Sequence, residues 1–423
     1  MKRKNQIGLI GSRAFKIVMV SSVVVHFFLF LLLACTARKE GSTPENSETS
    51  GIAQTPPVFA KHFTVTNYKN YKIVKTQATI RMWGSNESQS IEDVMVLYQR
   101  GTEPPTLTGA LKNASLIPIP VNRVATNLES TERFLEEIGA HRKIIAVGGL
   151  ISYNDSIRHA VSIGKIGQIG YSWHQPPNQE VLLERNTDLF LMTISNLEFK
   201  DALIKCRQLG IPTATVFDWA ENNYLAQAEW IKYFALFFNE EKKAERIFNE
   251  IVSNVDSIKQ RVNQISDKPT AMWGYYTGKG RWLVHHNSVE SQLLKDAGVL
   301  NVFYDSTLAV RNEGEPISTE QLIATGQDVT HWILGDIHSA ELPAENIMSS
   351  FKAWRLNNLY HNMKRSKPEL NAYDWYGSAP VRPDYVLADL VKLLHPEINP
   401  NQETIFMDHF DKRFKFPIKE GDF

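Results

Sequence analysis

Residues 225–264 read LAQAEWIKYFALFFNEEKKAERIFNEIVSNVDSIKQRVNQ, the longest uninterrupted helical pattern in the chain. The pattern breaks near Asn239 into a first helix and a second that starts at Glu240 or Glu241 and runs to Gln264. In the second, Ala244, Ile247, Phe248, Ile251, Val255, Ile258 and Val262 recur at three- and four-residue spacing, which makes one apolar stripe. At about 1.5 Å per residue, about 24 residues form a rod of about 36 Å. A helix that only covers a core needs no such length, whereas a rod joining two lobes does.

On both sides of the rod the texture alternates between strand and helix. Residues 144–147 are a short apolar run ending in Gly148-Gly149, and 188–193 and 213–217 are similar. Residues 197–209 look helical and stop at Gly210, a good residue for a helix end. Beyond the rod, 270–276 and 281–285 read as strands, 289–297 as a helix stopped by Gly298, 320–325 as a helix, 329–334 as a strand and 381–394 as a helix. Strands alternating with helices imply parallel βαβ units. The predicted fold class is therefore α/β, with two Rossmann-like lobes joined by one long backbone helix. The lobes span residues 122–224 and 268–423, the connecting helices 225–267, and a small β-rich appendage 58–121.

The totals hide an unusual N-terminus. Over 423 residues, 46 Lys plus Arg balance 46 Asp plus Glu. Zero net charge argues against a nucleic-acid binder, and 43% hydrophobic with 22% charged residues is ordinary for a globular protein. Two cysteines exclude a disulfide scaffold and an all-cysteine zinc site. Residues 1–16, however, carry Lys2, Arg3, Lys4, Arg13 and Lys16 without an acid, and 17–34 are apolar except for Ser21, Ser22 and His26. That is the layout of a secretion signal; a permanent membrane helix is the alternative, since eighteen residues just span a bilayer. Leu32-Leu33-Ala34-Cys35 resembles the lipobox of bacterial lipoproteins, which implies cleavage after residue 34 and lipidation of Cys35. Without residues 1–34 the balance is 41 against 46, or about −5. Residues 35–57 read as a flexible tether, too poor in apolar surface to fold. Cys206, left without a partner, reads as a buried core thiol.

Several local matches, in order along 123–409, resemble the class III substrate-binding proteins of ABC importers, which carry cobalamin, ferric siderophores and haem. NQEVLLERNTDL at 178–189 is similar to the family's Asn-x-Glu helix followed by Pro-Asp-Leu, with Thr187 in place of the usual proline. Leu209-Gly210-Ile211-Pro212 resembles its strand start, and Ala228-Glu229-Trp230-Ile231-Lys232 followed by 240–251 its backbone helices. Ile317-Ser318-Thr319-Glu320-Gln321-Leu322 resembles the helix start of the second lobe. Val381-Arg382-Pro383-Asp384 through Leu394-His395-Pro396-Glu397 resembles the terminal helix. The resemblance implies that Glu180 and Glu320, one at each lobe tip, dock on arginines of the permease; a simple helix-start acid is the plainer reading of each.

Ligands of open α/β sheets sit beyond the carboxyl ends of strands. That rule selects the loops holding Trp173, His174, Trp219, Tyr275, Tyr276, Arg281, Trp282 and His285, together with Trp375 in a further loop. Flat indole and phenol faces suit a planar guest, and Arg281 suits a carboxylate or catecholate oxygen. His285 and His286 are adjacent and face opposite sides of a strand, so they do not chelate one metal together; one of them is a candidate axial haem ligand. Residues 127–131 offer helix N-terminal amides to an anionic ligand. The predicted protein is an exported monomer on the periplasmic side of a membrane or at the cell surface. It is held by a lipid anchor, has no catalytic residue, no resident metal or cofactor and no nucleic-acid partner, and passes a metal chelate to an ABC permease and its ATPase. Two alternatives are a metallohydrolase using His174, Asp218, His285 and Asp336, and a scavenging surface lipoprotein without a permease.

Overall fold

The computed structural model describes residues 53–54, 56–335, 342–398 and 400–412. The leader, Cys35, most of the tether and Asp336 lie outside the described residues. The tether's Ala53–Gln54 (β1) lies within them and pairs antiparallel with Phe63–Asn67 (β2). Tyr71–Arg81 (β3), Ser88–Gln99 (β4) and Ser115–Ile119 (β5) complete a five-stranded sheet in the order β1-β2-β3-β4-β5. In β3 the burial alternates with period two from Val74 to Ile80, so one face is buried and the other wet.

This appendage is joined to the first lobe by buried polar contacts. The Asp93 carboxylate on β4 accepts from Arg207 at 2.7 and 2.8 Å and from the Thr215 backbone at 3.3 Å. Residues 58–62 are gripped just as firmly. Glu229, fully buried, accepts the backbone N–H groups of Val58, Phe59 and Ala60 at 2.7–2.9 Å, and Glu221 accepts those of Lys61 and His62 at 3.0 Å. Trp230 Nε1 donates to the same Glu221 carboxylate at 3.0 Å.

The first lobe is a five-stranded sheet of Val124–Thr126 (β6), Ile144–Val147 (β7), Gly167–Gln168 (β8), Leu189–Thr193 (β9) and Thr213–Val216 (β10). Every pairing is parallel, in the order β10-β9-β6-β7-β8. β9 and β10 are buried at every position, as strands covered on both faces must be. Glu129–Glu137 (α1), Asp155–Ser162 (α2), Gln179–Glu184 (α3) and Asp201–Gln208 (α4) connect them. Cys206 on α4 is wholly buried, and burial pushes its thiol up to about 11.

Tyr224–Leu236 (α5) and Glu241–Val262 (α6) form the connection between lobes. Asn239 between them takes a left-handed φ of 59°, which ends one helix and turns the chain into the next. Ala244, Phe248, Ile251, Val255, Ile258 and Val262 of α6 are buried along one stripe.

The second lobe is a mixed sheet. Thr270–Gly278 (β11) pairs in parallel with Leu300–Asn301 (β13) and His331–Leu334 (β15) near its start, and antiparallel with Arg281–Val284 (β12) near its end. Glu315–Ser318 (β14) extends the β12 edge. Val289–Asp296 (α7) links β12 to β13, and Thr319–Gly326 (α8) links β14 to β15. Glu345–Met348 (α9) and Lys352–Leu356 (α10) precede Leu359–His361 (β16), which is parallel to β15. Ser366–Lys367 (β17) and Ala372–Tyr373 (β18) form a small hairpin, followed by Asp374–Ser378 (α11) and Pro383–Leu394 (α12). Asp408–His409 (β19) closes the edge against β16. Two α/β lobes with parallel strands and a long joining helix are the fold class that the alternation predicts.

Candidate ligand-binding cleft

The strand order of the first lobe reverses between β6 and β9, and ligands of such sheets bind beyond the carboxyl ends at that switch point. Asn127, just past β6, closes the gap between these strands: its side chain donates to the Thr193 carbonyl at 3.1 Å and accepts the Thr193 N–H at 2.9 Å. Ser130 Oγ donates to Asp218 Oδ2 at 3.0 Å, and burial pushes the Asp218 carboxyl up to about 6. Among the described residues, fourteen buried side-chain polar atoms lack a hydrogen-bond partner. Eight of them belong to Glu129, Thr131, Glu132, Arg133, Ser172, Thr193, Asp218 and Trp219, all at or just beyond the carboxyl ends of these strands. Orphaned polar atoms are rare in native interiors, so their concentration here marks a place built to receive something.

A cavity of about 420 Å³, within the range of small-molecule sites, opens beside three of these residues, Glu129, Glu132 and Arg133. Its first-lobe wall is the Glu129, Glu132, Arg133 and Glu136 face of α1 with residues 152–155, and its second-lobe wall is β17, β18 and α11. Gly377 of α11 sits against Glu129, with room for a Cβ only at van der Waals contact, 3.5 Å. Beside the cavity the lobes touch where Lys367 Nζ reaches Asp155 Oδ1 at 2.6 Å and the Tyr153 carbonyl at 3.1 Å. The Lys367 ammonium and the Arg365 guanidinium also lie over the Tyr153 ring, at 4.4 and 5.2 Å from its centroid.

The lining is strongly charged. Glu132 is only 5% exposed, and its Oε1 has no partner; Glu129 Oε2 is likewise buried and unpartnered. Burial, with Glu132 nearby, pushes Glu129 up to about 8. Burial raises Glu132 to the same value, although a hydrogen bond from Ser152 opposes the rise. The acidic first turn of α1 corrects the anion reading of residues 127–131: Asn127 is engaged with Thr193, and carboxyls stand where an anion would sit.

None of the nine aromatic, basic and histidine residues selected from strand-end loops lines this cavity. Trp173 stacks on Tyr171 at 4.8 Å, and Tyr171 in turn donates to the Gly149 carbonyl at 3.1 Å; His174 is exposed. Trp219 is partly buried against the core, its Nε1 among the orphaned atoms. Trp375 packs against Trp273 at 6.0 Å and Phe406 at 6.2 Å, one residue from the cavity-lining Asp374. Trp282 requires a correction. It is wholly buried beside Tyr276 and Trp332, and its Nε1 donates to Thr319 Oγ1 at 3.1 Å. The reason is the turn at Gly278-Lys279-Gly280, all three with positive φ, which folds β12 back on β11 as a hairpin. Tyr275, Tyr276 and Arg281 therefore belong to hairpin strands rather than to a loop over the cleft. His285 is buried, 3.1 Å from Glu290 and 3.2 Å from the Ser288 hydroxyl. Glu129 and Glu132 went unselected; the segment holding Glu129 was singled out, but for its amides.

Glu180 and Glu320 are both exposed in the first turn of a helix. Asn178 caps α3, accepting from Glu180 N at 3.0 Å, while Ser318 and Gln321 form a reciprocal capping box at α8. A hydrogen bond from Ser318 lowers the Glu320 carboxyl, which keeps it charged.

Such an arrangement, two α/β lobes walling one cavity with a helix pair joining them, defines a bilobal solute-binding protein. The model of the family described as "Periplasmic binding protein" matches residues 124–361, more than half of the chain, and the chain belongs to that family. Its proteins bind small solutes for ABC transporter permeases and are not enzymes. Among the described residues no group of three or more His, Cys, Asp or Glu is placed to hold a metal ion. The chain is 25% identical over 308 residues to an uncharacterised lipoprotein, MJ0878, of Methanocaldococcus jannaschii, covering 70% of each. A second lipoprotein of that organism, MJ0872, is 22% identical over 74% of this chain and 78% of its own. Helicobacter pylori CeuE, solved with a nickel–histidine complex, superposes with a TM-score of 0.50 at 13% identity, over 78% of this chain and 91% of that one. That likeness concerns the fold. Among the described residues no helix is long and apolar enough to cross a membrane.

Proposed function

We propose that the protein is a lipid-anchored binding protein that captures a metal chelate between its lobes and delivers it to an ABC permease. The observation that carries this reading is the cavity of about 420 Å³ walled by both lobes, beyond β6 and β7 of the first. Ferric siderophores, haem and corrinoids are the chelate classes in view. The chelate is cargo, and the protein needs no resident cofactor. Cys35 carries the anchor, residues between it and the first strand act as the tether, and the protein works outside the cytoplasmic membrane as a monomer. Exposed acids at the helix starts of the two lobes, Glu180 and Glu320, meet basic loops of the permease; rim charges of this kind fix orientation and speed encounter more than they add affinity.

The visible spectrum of protein isolated from iron-limited cells tests the ligand, because each chelate class absorbs distinctively. Quenching of tryptophan fluorescence on titration with the chelate should accompany it, and a flat titration with all three classes defeats the reading. Replacing Glu180→Arg and Glu320→Arg together should abolish uptake while leaving the chelate's affinity within about twofold.

A further inference from the structure

We propose that Glu129 and Glu132 make the interlobe cavity selective for a small ligand that carries net positive charge. The inference rests on the solute-binding reading of the cleft and adds the charge of the ligand to it.

The ion pairs of the lining leave these two acids over. Arg133 pairs with Glu136 at 2.8 Å and with Glu137 at 2.6 Å. Arg365 pairs with Asp374 at 2.5 Å, and Lys367 with Asp155 at 2.6 Å. Each cation of the described lining is thus neutralised by a carboxylate, and among the described residues only the lining acids Glu129 and Glu132 are left without a cation. Glu132 is buried and Glu129 partly so, yet each keeps one oxygen without a hydrogen-bond donor. A buried carboxyl oxygen without a donor costs free energy that a bound donor or cation recovers. The phenols that approach from other elements, Tyr171, Tyr153 and Tyr373, do not offset the surplus, since they carry no positive charge. Burial raises both carboxyls to about 8, which favours their protonated forms. A cation therefore displaces protons as it enters, and its affinity should rise with pH until both groups ionise.

The test uses purified full-length mature protein and three probes: a ferric trihydroxamate bearing a free ammonium, the same chelate with that ammonium acetylated, and a ferric tris-catecholate. By fluorescence titration the monocationic chelate should bind about tenfold or more tightly than its acetylated form, and the trianionic one least. Calorimetry in buffers of different ionisation enthalpy should record proton release on binding. In Glu129→Gln/Glu132→Gln, whose circular dichroism should match wild type, the preference for the cation and the proton release should both vanish. Equal or tighter binding of the neutral or anionic chelate by wild type overturns the inference and leaves the chelate reading intact. If no chelate binds, the chelate reading falls, and an alkylammonium–alcohol pair decides the inference. Thermal stabilisation of wild type by the ammonium alone, lost in the double variant, sustains it, and its absence overturns it.

Discussion

Glu221 just before α5 with Glu229 on it, and Glu129 with Glu132 on α1, are two pairs of acids withdrawn from water. They are treated in opposite ways. The first pair is saturated: five consecutive backbone N–H groups, from Val58 to His62, converge on its carboxylates, with Trp230 and Lys232 adding side-chain donors. Charge-assisted hydrogen bonds of this kind are strong enough to hold a carboxylate in the interior. Each acid of the second pair lines a cavity and keeps one buried oxygen without a donor. A saturated buried acid serves the architecture. An unsaturated one beside an opening costs stability, and chains retain such a cost where something else is gained.

The contrast can be broken experimentally. Glu229→Ala should produce the largest effect, a loss of about 3–5 kcal/mol in urea unfolding, because three amides and Lys232 lose their acceptor inside the protein. A loss below about 1 kcal/mol would remove the distinction between the two pairs. Next in size is a pH effect of the cleft pair. Both carboxyls are raised from 4.5 to about 8 in the folded protein. Between those values the folded state holds protons that the unfolded chain gives up, so this contribution makes stability fall as pH rises through that window. One group gives at most about 1.4 kcal/mol per pH unit, and Glu129, open to the cleft, gives less. Glu129→Gln/Glu132→Gln should therefore melt higher than wild type at pH 8 and match it near pH 5, as scanning calorimetry would record. The smallest effect belongs to the Lys367–Asp155 pair at the cleft. Asp155 is 79% exposed on its side chain, so Lys367→Ala should cost about 1 kcal/mol or less and lose even that in high salt. Its signature would be a wider cleft in small-angle scattering rather than a lower melting point.

Elements governed by local sequence were legible in advance. The stripe from Ala244 to Val262 marked α6, the break near Asn239 coincides with a left-handed residue, and Gly210 and Gly298 end helices at positive φ. The hairpin of β11 and β12 was harder to read. Two strands separated by a short gap look alike whether the chain continues or doubles back, and only the glycines at 278 and 280 distinguish them. The cleft was the least legible part. Glu129 and Glu132 are three residues apart at a helix start, which in sequence looks like an ordinary solvated turn favoured by the helix dipole. What takes them out of water is α11, about 240 residues further along the chain, and no local pattern announces that contact. The aromatics misled for a related reason: Trp282 looks available in sequence but fills the core of the second lobe.

The grip on residues 58–62 also has a mechanical side. Tension arriving from residues before Ala53 meets the β1–β2 pairing first, and behind it a pull on five amides held together by two carboxylates rather than on one bond after another. Bonds that share a load must yield together. The force needed to peel this segment away is therefore set by the group and not by its weakest member.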